Sequence, residues 1–349
     1  MDNLKIALCM IVAPTDEEAE LLDRCLGGVA RPDQLLEEHK NIDLKDTDGL
    51  AKHVDAIYLT ITGENEKFNE VAKKYGAVVS HFKWNKNFAE ARNFNFSQVP
   101  EGFKYIVWTD SDDVWRNPHL IHEAATRMSE NAIDVLNLTY NYHYGRNGML
   151  DTEHPKSRII RHDGCVLWDN EELHEDFEPQ RMITQDFNKD MVVIHLTDEA
   201  RIQRAAKRNT EISEVALSRD PDDPRNYWNL ANCYLSTGKF ESAIDLYLHF
   251  LGVSGSEEER FTAWHRLAQC YINMGDTARA LQSELESLAL RPWYPDAYFG
   301  MGRIYMQMNK LRAAKEMLEM GFTKEIGTSE KIAWDPREYD YIPRMWLAE

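Results

Sequence analysis

The densest chemistry in the sequence lies between positions 110 and 113. Asp110, Ser111, Asp112 and Asp113 follow directly on the apolar and aromatic run Tyr105-Ile106-Val107-Trp108. A buried strand that ends in carboxylates delivers charge to its carboxyl edge, where open α/β sheets keep their ligands. Three carboxylates in four residues repel one another unless a cation, or a phosphate complex of one, shares the space. The run therefore predicts a divalent site of hard oxygen ligands, taking Mg2+ or Mn2+ through Asp110 and Asp112 and holding the diphosphate of a nucleotide. A solvated turn accounts for the same residues without any ligand. Three further groups carry potential chemistry. Arg92-Asn93 follows the aromatic stretch Phe82 to Phe88; Arg92 supplies charge for a phosphate and Asn93 orders the chain beside it, or the pair belongs to a plain helix with a surface salt bridge. His195 closes the apolar run Met191–Ile194 and is a ligand or a structural histidine. Leu173-His174-Glu175-Asp176 offers two carboxylates, or a helix cap in a solvated loop.

The elements that must position these groups alternate in type. Ile6–Val12 is a continuous apolar strand, and Thr15 with Glu18 three residues later opens a helix whose buried side is Leu21, Leu22, Cys25 and Leu26. Residues 31–53 are polar and read as an exposed excursion. Val54–Ile61 is a second strand, Phe68, Val71, Ala72 and Tyr75 mark a helix stopped by Gly76, and Ala77–Phe82 is a third strand. This β-α-β-α-β order predicts a doubly wound, mostly parallel sheet. Later strands are expected at Val135–Tyr144, Ser157–Arg161, Cys165–Trp168 and Met191–Leu196. From about residue 201 the pattern becomes helical. Tyr234, Tyr271 and Tyr305 recur at intervals of 37 and 34 residues. Each has a small residue three positions before it (Ala231, Ala268, Gly302) and a turn residue four after it (Gly238, Gly275, Asn309). That period is the tetratricopeptide one. The expected division is 1–200, 201–325 and an aromatic tail, 326–349, packed on the fold.

With 349 residues, two domains are the default, and a net charge of -19 disfavours nucleic acid and anionic lipid as partners. A local basic groove around Arg158 and Arg161 is the one feature that would reopen nucleic acid. Five scattered cysteines without metal spacing read as reduced thiols of a cytoplasmic protein, and neither a signal-peptide layout nor a membrane span is expected.

Taken together, the segments Leu8–Glu18, Val54–Glu66, Phe82–Asn93 and Ile106–Asp113 resemble family 2 glycosyltransferases, inverting nucleotide-sugar enzymes of the GT-A fold. Within them the chain is most similar to a branch with C-terminal tetratricopeptide repeats that includes peptide glycosyltransferases acting on bacteriocin precursors. The resemblance implies a UDP-sugar donor and Mn2+ or Mg2+. It puts the metal on Asp112, His195 and Asp110, with Asp112 the most direct ligand and Asp110 nearer the donor ribose or diphosphate. Asp55, Arg92, Asn93, Asp110, Ser111 and Asp112 form the donor side, Asp55 near the uracil wall. Glu175, with Asp176 as the substitute, is the base. Two positions depart from the branch: Val12-Ala13-Pro14-Thr15-Asp16-Glu17 stands where Val-Lys-Asn-Glu is usual, and Ile61 occupies an acidic position.

The expected reaction moves a hexose or N-acetylhexosamine to a peptide or protein by single displacement. A base takes the acceptor proton while cations absorb the charge of the departing diphosphate. A glycan or modified nucleobase is the alternative acceptor. The rival reading is a repeat-based interaction scaffold whose transferase half has lost turnover. The repeats are expected to bind a peptide or partner protein, with a brace or homodimer surface as the alternative.

Overall fold

The computed structural model describes residues 4–28, 39–144, 148–169, 177–324 and 341–348. The chain divides into two compact units, Met1–Asp198 and Glu199–Glu349.

The first unit is built on β1 (Ile6–Val12), whose seven residues are all buried. It pairs in parallel with β3 (Ala56–Ile61) on one side and β5 (Tyr105–Trp108) on the other. Because strand side chains alternate, Ile6, Leu8, Met10 and Val12 enter one apolar cluster while Ala7 and Cys9 enter another on the opposite face. Both faces are covered, which is why the strand reads as an unbroken apolar run. Helix α1 (Asp16–Gly27) is capped by Thr15, whose hydroxyl accepts from the Glu18 amide. Helix α2 (Glu66–Tyr75) ends at Gly76, in the left-handed conformation with φ 64°. Strand β4 (Val78–His81) and helix α3 (Phe88–Ser97) follow.

The sheet has nine strands and is mixed. With β2 (Thr47–Asp48), β6 (Asp113–Arg116), β7 (Val135–Tyr144), β8 (Leu150–Arg161) and β11 (Gln185–His195), its order is β2-β6-β11-β7-β8-β5-β1-β3-β4. Strand β8 is antiparallel to both β5 and β7, and β6 is antiparallel to both β11 and β2, so β6 and β8 run against all the other strands of the sheet. Helix α4 (Ile121–Glu130) lies between β6 and β7 in the chain, while β9 (Val166–Trp168) and β10 (Phe177–Pro179) form a separate ribbon. One expectation fails locally. The stretch read as an exposed excursion buries His39, Ile42 and Leu50 and adds β2 to the sheet edge. Its polar composition reflects the residues between these anchors. Arg158 and Arg161 form no basic groove: Arg158 is fully buried against Asp113, and Arg161 lies 2.9 Å from the Asp134 carboxylate.

Asp134 is a hub that ties the start of β7 to the segment before β11. Its two oxygens accept from Nη1 and Nη2 of Arg181 at 2.9 Å each, and Oδ2 also accepts from the Thr184 amide at 3.0 Å. The Arg181 hydrogen bonds, against the opposing effect of burial, lower its pKa from 3.8 to about 2. A depressed carboxylate contributes stability that is complete above its unfolded pKa and is lost as pH falls through the folded value. Asp134→Asn should therefore destabilise the unit by about 1–3 kcal/mol at neutral pH. Urea titrations should show the gap from wild type closing as pH drops from 3.8 towards about 2; a gap that persists at lower pH contradicts the assignment.

The second unit is helical. A long α5 (Glu199–Arg219) precedes three pairs, α6 (Pro224–Ser236) with α7 (Phe240–Val253), α8 (Glu257–Asn273) with α9 (Thr277–Leu290), and α10 (Asp296–Gln307) with α11 (Leu311–Gly321). The turns within the pairs carry Gly238, Gly275 and Asn309 at φ 74°, 79° and 56°, which explains the recurrent turn residue. A Cβ at Gly302 would stand 2.6 Å from Leu318, so a small residue there lets α10 and α11 approach. Of the tail, 326–340 lies outside the described residues. Helix α12 (Tyr341–Ala348) packs Trp346 and Leu347 with Phe299, Leu318 and Phe322. All five cysteines are buried free thiols, and no helix among the described residues is long and apolar enough to cross a membrane.

Candidate functional site

Residues 110–113 form the turn between β5 and β6, at the carboxyl edge shared by β1, β3, β5, β7 and β11. Asp113 opens β6, and the antiparallel register of β6 on β11 puts it opposite His195. That register joins groups 82 residues apart in the chain, with Nδ1 of His195 3.2 Å from Oδ1 of Asp113 and 3.5 Å from Oδ1 of Asp112. Candidate ligand atoms of Asp112, Asp113 and His195 all lie within 4.8 Å of one another. The third member of the group beside Asp112 and His195 is thus Asp113 rather than Asp110.

Asp113 is the most heavily engaged of the acids. Oδ2 accepts from the Thr109 hydroxyl at 2.9 Å and the Asp110 amide at 3.1 Å, and it lies 3.0 Å from Nη2 of Arg158. Oδ1 accepts from the Tyr140 hydroxyl at 3.1 Å and faces His195. Burial alone would raise its pKa, but the Arg158 guanidinium, followed by the His195 hydrogen bond, holds it well below the usual carboxylate range. His195 shifts the other way. Its burial disfavours the imidazolium, yet the charge of Asp112 and the hydrogen bond to Asp113 push it up to about 9. Tyr142, next to His195 across β7 and β11, stacks on the imidazole with centroids 5.5 Å apart and planes 5° from parallel.

Asp110 is held separately. Its Oδ1 accepts from Nη2 of Arg92 at 3.0 Å. The Arg92 guanidinium sits 4.5 Å from the Trp108 ring centroid and 5.0 Å from that of Trp168, while Arg158 lies 4.1 Å from Trp108 and 4.5 Å from Tyr140. Two buried cations thus approach the same indole and meet two of the three carboxylates. Asp112 faces His195 instead. Arg24 of α1 braces the turn from outside, donating to the backbone carbonyls of Asp112 at 3.1 Å and Leu196 at 3.3 Å, and the Ser111 hydroxyl donates to Glu18.

The carboxylate of Asp112 is a hard oxygen that suits Mn2+ or Mg2+, while the imidazole nitrogen of His195 makes the pair a better fit to Mn2+ than to Mg2+. Asp113 fits less well as a direct ligand because both its oxygens are committed; it suits the role of an orienting carboxylate behind a ligating histidine.

Other expected site residues are distributed differently. Asp55 does not reach the cluster. It precedes β3, so it lies at the amino edge of the sheet, where its Oδ2 accepts from the Ile6 amide at 2.7 Å; the carboxyl edge is the length of a strand away. Asn93 turns to the backbone, donating to the Trp168 carbonyl and accepting from the Trp168 amide at 3.0 Å each, and thereby anchors β9 instead of facing a donor. Glu175 and Asp176, with His174, lie outside the described residues. Sequence reasoning missed Arg158, Tyr140 and Arg24. The signal for Arg158 is an arginine set among Ile159, Ile160 and the strand pattern, but only the pairing of β8 with β5 reveals that it faces inward.

Comparison with known proteins divides the chain at the same place. The sequence model of glycosyl transferase family 2 matches residues 47–192. Tetratricopeptide repeat models match 229–261, 261–292 and 295–319. A search of curated proteins found no match. Among solved structures, one described as the crystal structure of MamA is similar at 21% identity over 36% of this chain and 72% of that one, with a TM-score of 0.32. A thermophilic TPR protein in Thermus thermophilus is similar at 17% identity over 36% and 70%, also with a TM-score of 0.32. At such scores these likenesses add nothing to the reading of the site. The family matches and the mixed sheet agree that the chain joins a glycosyl transferase family 2 domain to C-terminal tetratricopeptide repeats.

Proposed function

We propose that the protein is an inverting glycosyltransferase that moves a hexose or N-acetylhexosamine from a UDP-sugar to a peptide or protein, in the manner of the bacteriocin-modifying branch it resembles. The observation that carries this reading is the Asp112–His195 pair at the carboxyl edge of a family 2 sheet. Asp112 and His195 would hold Mn2+ or Mg2+, which supplies positive charge for the departing diphosphate. Asp113 keeps His195 in orientation, with Arg158 and Tyr140 holding Asp113 in turn. Arg92 contributes fixed positive charge on the Asp110 side. Glu175, or Asp176 in its place, takes the proton of the acceptor nucleophile as that atom attacks the anomeric carbon from the face opposite the leaving group. The repeats present the acceptor protein, and the buried free thiols fit a reducing cytoplasm.

Calorimetry with UDP-glucose and UDP-N-acetylglucosamine tests the reading. Saturable binding that needs Mn2+ and disappears with a chelator is the expected outcome. Absence of binding to any nucleotide sugar with Mn2+ present would favour the scaffold reading, which the apolar Ile61 at a donor-side position supports.

A further inference from the structure

The repeat unit contains a built site of its own. A cavity of about 120 Å3 opens among α8, α9, α10 and α12. At its base lies Glu284 of α9, a carboxyl group with no exposed surface. Its Oε2 accepts from Nδ1 of His265 at 3.1 Å, and Oε1 lies 3.0 Å from the same nitrogen. The hydrogen bond goes to Oε2, and among the described residues Oε1 receives none. The carboxyl group fits only because position 300 is glycine, since a Cβ there would collide with Oε1.

Nothing in helix packing calls for this arrangement. A small apolar side chain would fill the space without the cost of burying an acid, and burial indeed pushes the Glu284 carboxyl up against the opposing charge of His265. What the buried acid does is fix the imidazole on the cavity wall. With Nδ1–H directed at Glu284, Nε2 becomes an acceptor, and it sits 3.3 Å from Nε2 of Gln269. The other polar walls are Asp296 and Arg303, both on α10. They are seven residues apart, about 10 Å along the helix axis. Trp346 of α12 supplies an aromatic wall.

We propose that this cavity is a binding site for a saccharide ring. The lining sets Glu284 against His265 and carries Asp296 and Arg303 on one helix, so acids and bases are equal in number. It presents acceptors and donors in planar groups, which suit neighbouring hydroxyls that both donate and accept. An indole wall suits the apolar C–H face of such a ring. The inference does not depend on the transferase reading.

The test is ligand-observed NMR on the full chain carrying Asp112→Ala, which weakens any sugar binding at the first unit. Glucose, galactose, mannose and N-acetylglucosamine are the probes, with glycine, leucine and a short peptide as rival arms. At least one sugar should bind saturably, and Arg303→Met and His265→Ala should each weaken it about tenfold or more. Arg303 is partly exposed, so its variant should fold even if Glu284→Gln does not. The proposal is overturned if none of the four sugars binds, if sugar binding is indifferent to both variants, or if the amino acids or the peptide bind in their place.

Discussion

Asp113→Asn should destabilise the first unit by about 3–5 kcal/mol, the range for removing one partner of a buried ion pair. Asp113 and Arg158 have no exposed side-chain surface, so water cannot replace the lost charge. The substitution strands a guanidinium between Trp108 and Tyr140 and weakens the acceptors of Thr109, Tyr140 and His195 at the same time. Arg158→Met should show the mirror effect, and the double variant should lose less than the sum of the two, because neither charge is then left unpaired. Urea unfolding, followed by a probe confined to the first unit, measures all three. A loss below about 1 kcal/mol in Asp113→Asn would place the pair among weak surface contacts and refute its role as the anchor of the site.

Asp112→Ala should do the opposite, leaving the fold nearly intact and removing activity. Its carboxylate takes no part in the Arg158 ion pair and faces the His195 side of the cluster, so urea stability should fall by clearly less than in Asp113→Asn. Turnover of a UDP-sugar in the presence of Mn2+ should fall by about a hundredfold or more, the scale of effect of removing one electrostatic stabiliser of a developing negative charge. Asp110→Ala is the informative neighbour. It releases Arg92 but leaves that guanidinium sandwiched by Trp108 and Trp168, so a smaller loss is expected. Undiminished hydrolysis by Asp112→Ala would sink the assignment of Asp112 as metal ligand, whatever the fate of Asp113.

Local patterns in the amino-acid chain were enough for much of the architecture. The apolar run of β1, the Thr15 cap, the stop at Gly76 and the spacing of Tyr234, Tyr271 and Tyr305 depend on neighbours within a turn, a strand or one helical hairpin. So did the arrival of carboxylates at a strand end. The division of labour among those carboxylates was not legible, because it rests on strand register. Their mutual repulsion suggested that a bound cation must relieve it, yet two cations come from the protein itself, Arg92 beside Asp110 and Arg158 beside Asp113. Whether Arg158 points to solvent or into the site is decided by one residue of register in β8, since a shift by one reverses every side chain. The pairing of His195 with Asp113 likewise needs β11 to return beside β6, and Asp55 is excluded because strand direction puts it at the amino edge. Composition and periodicity could announce charge at 110–113. Only the antiparallel insertion of β6 and β8 settled that two of the three carboxylates meet buried arginines while Asp112 turns to the histidine.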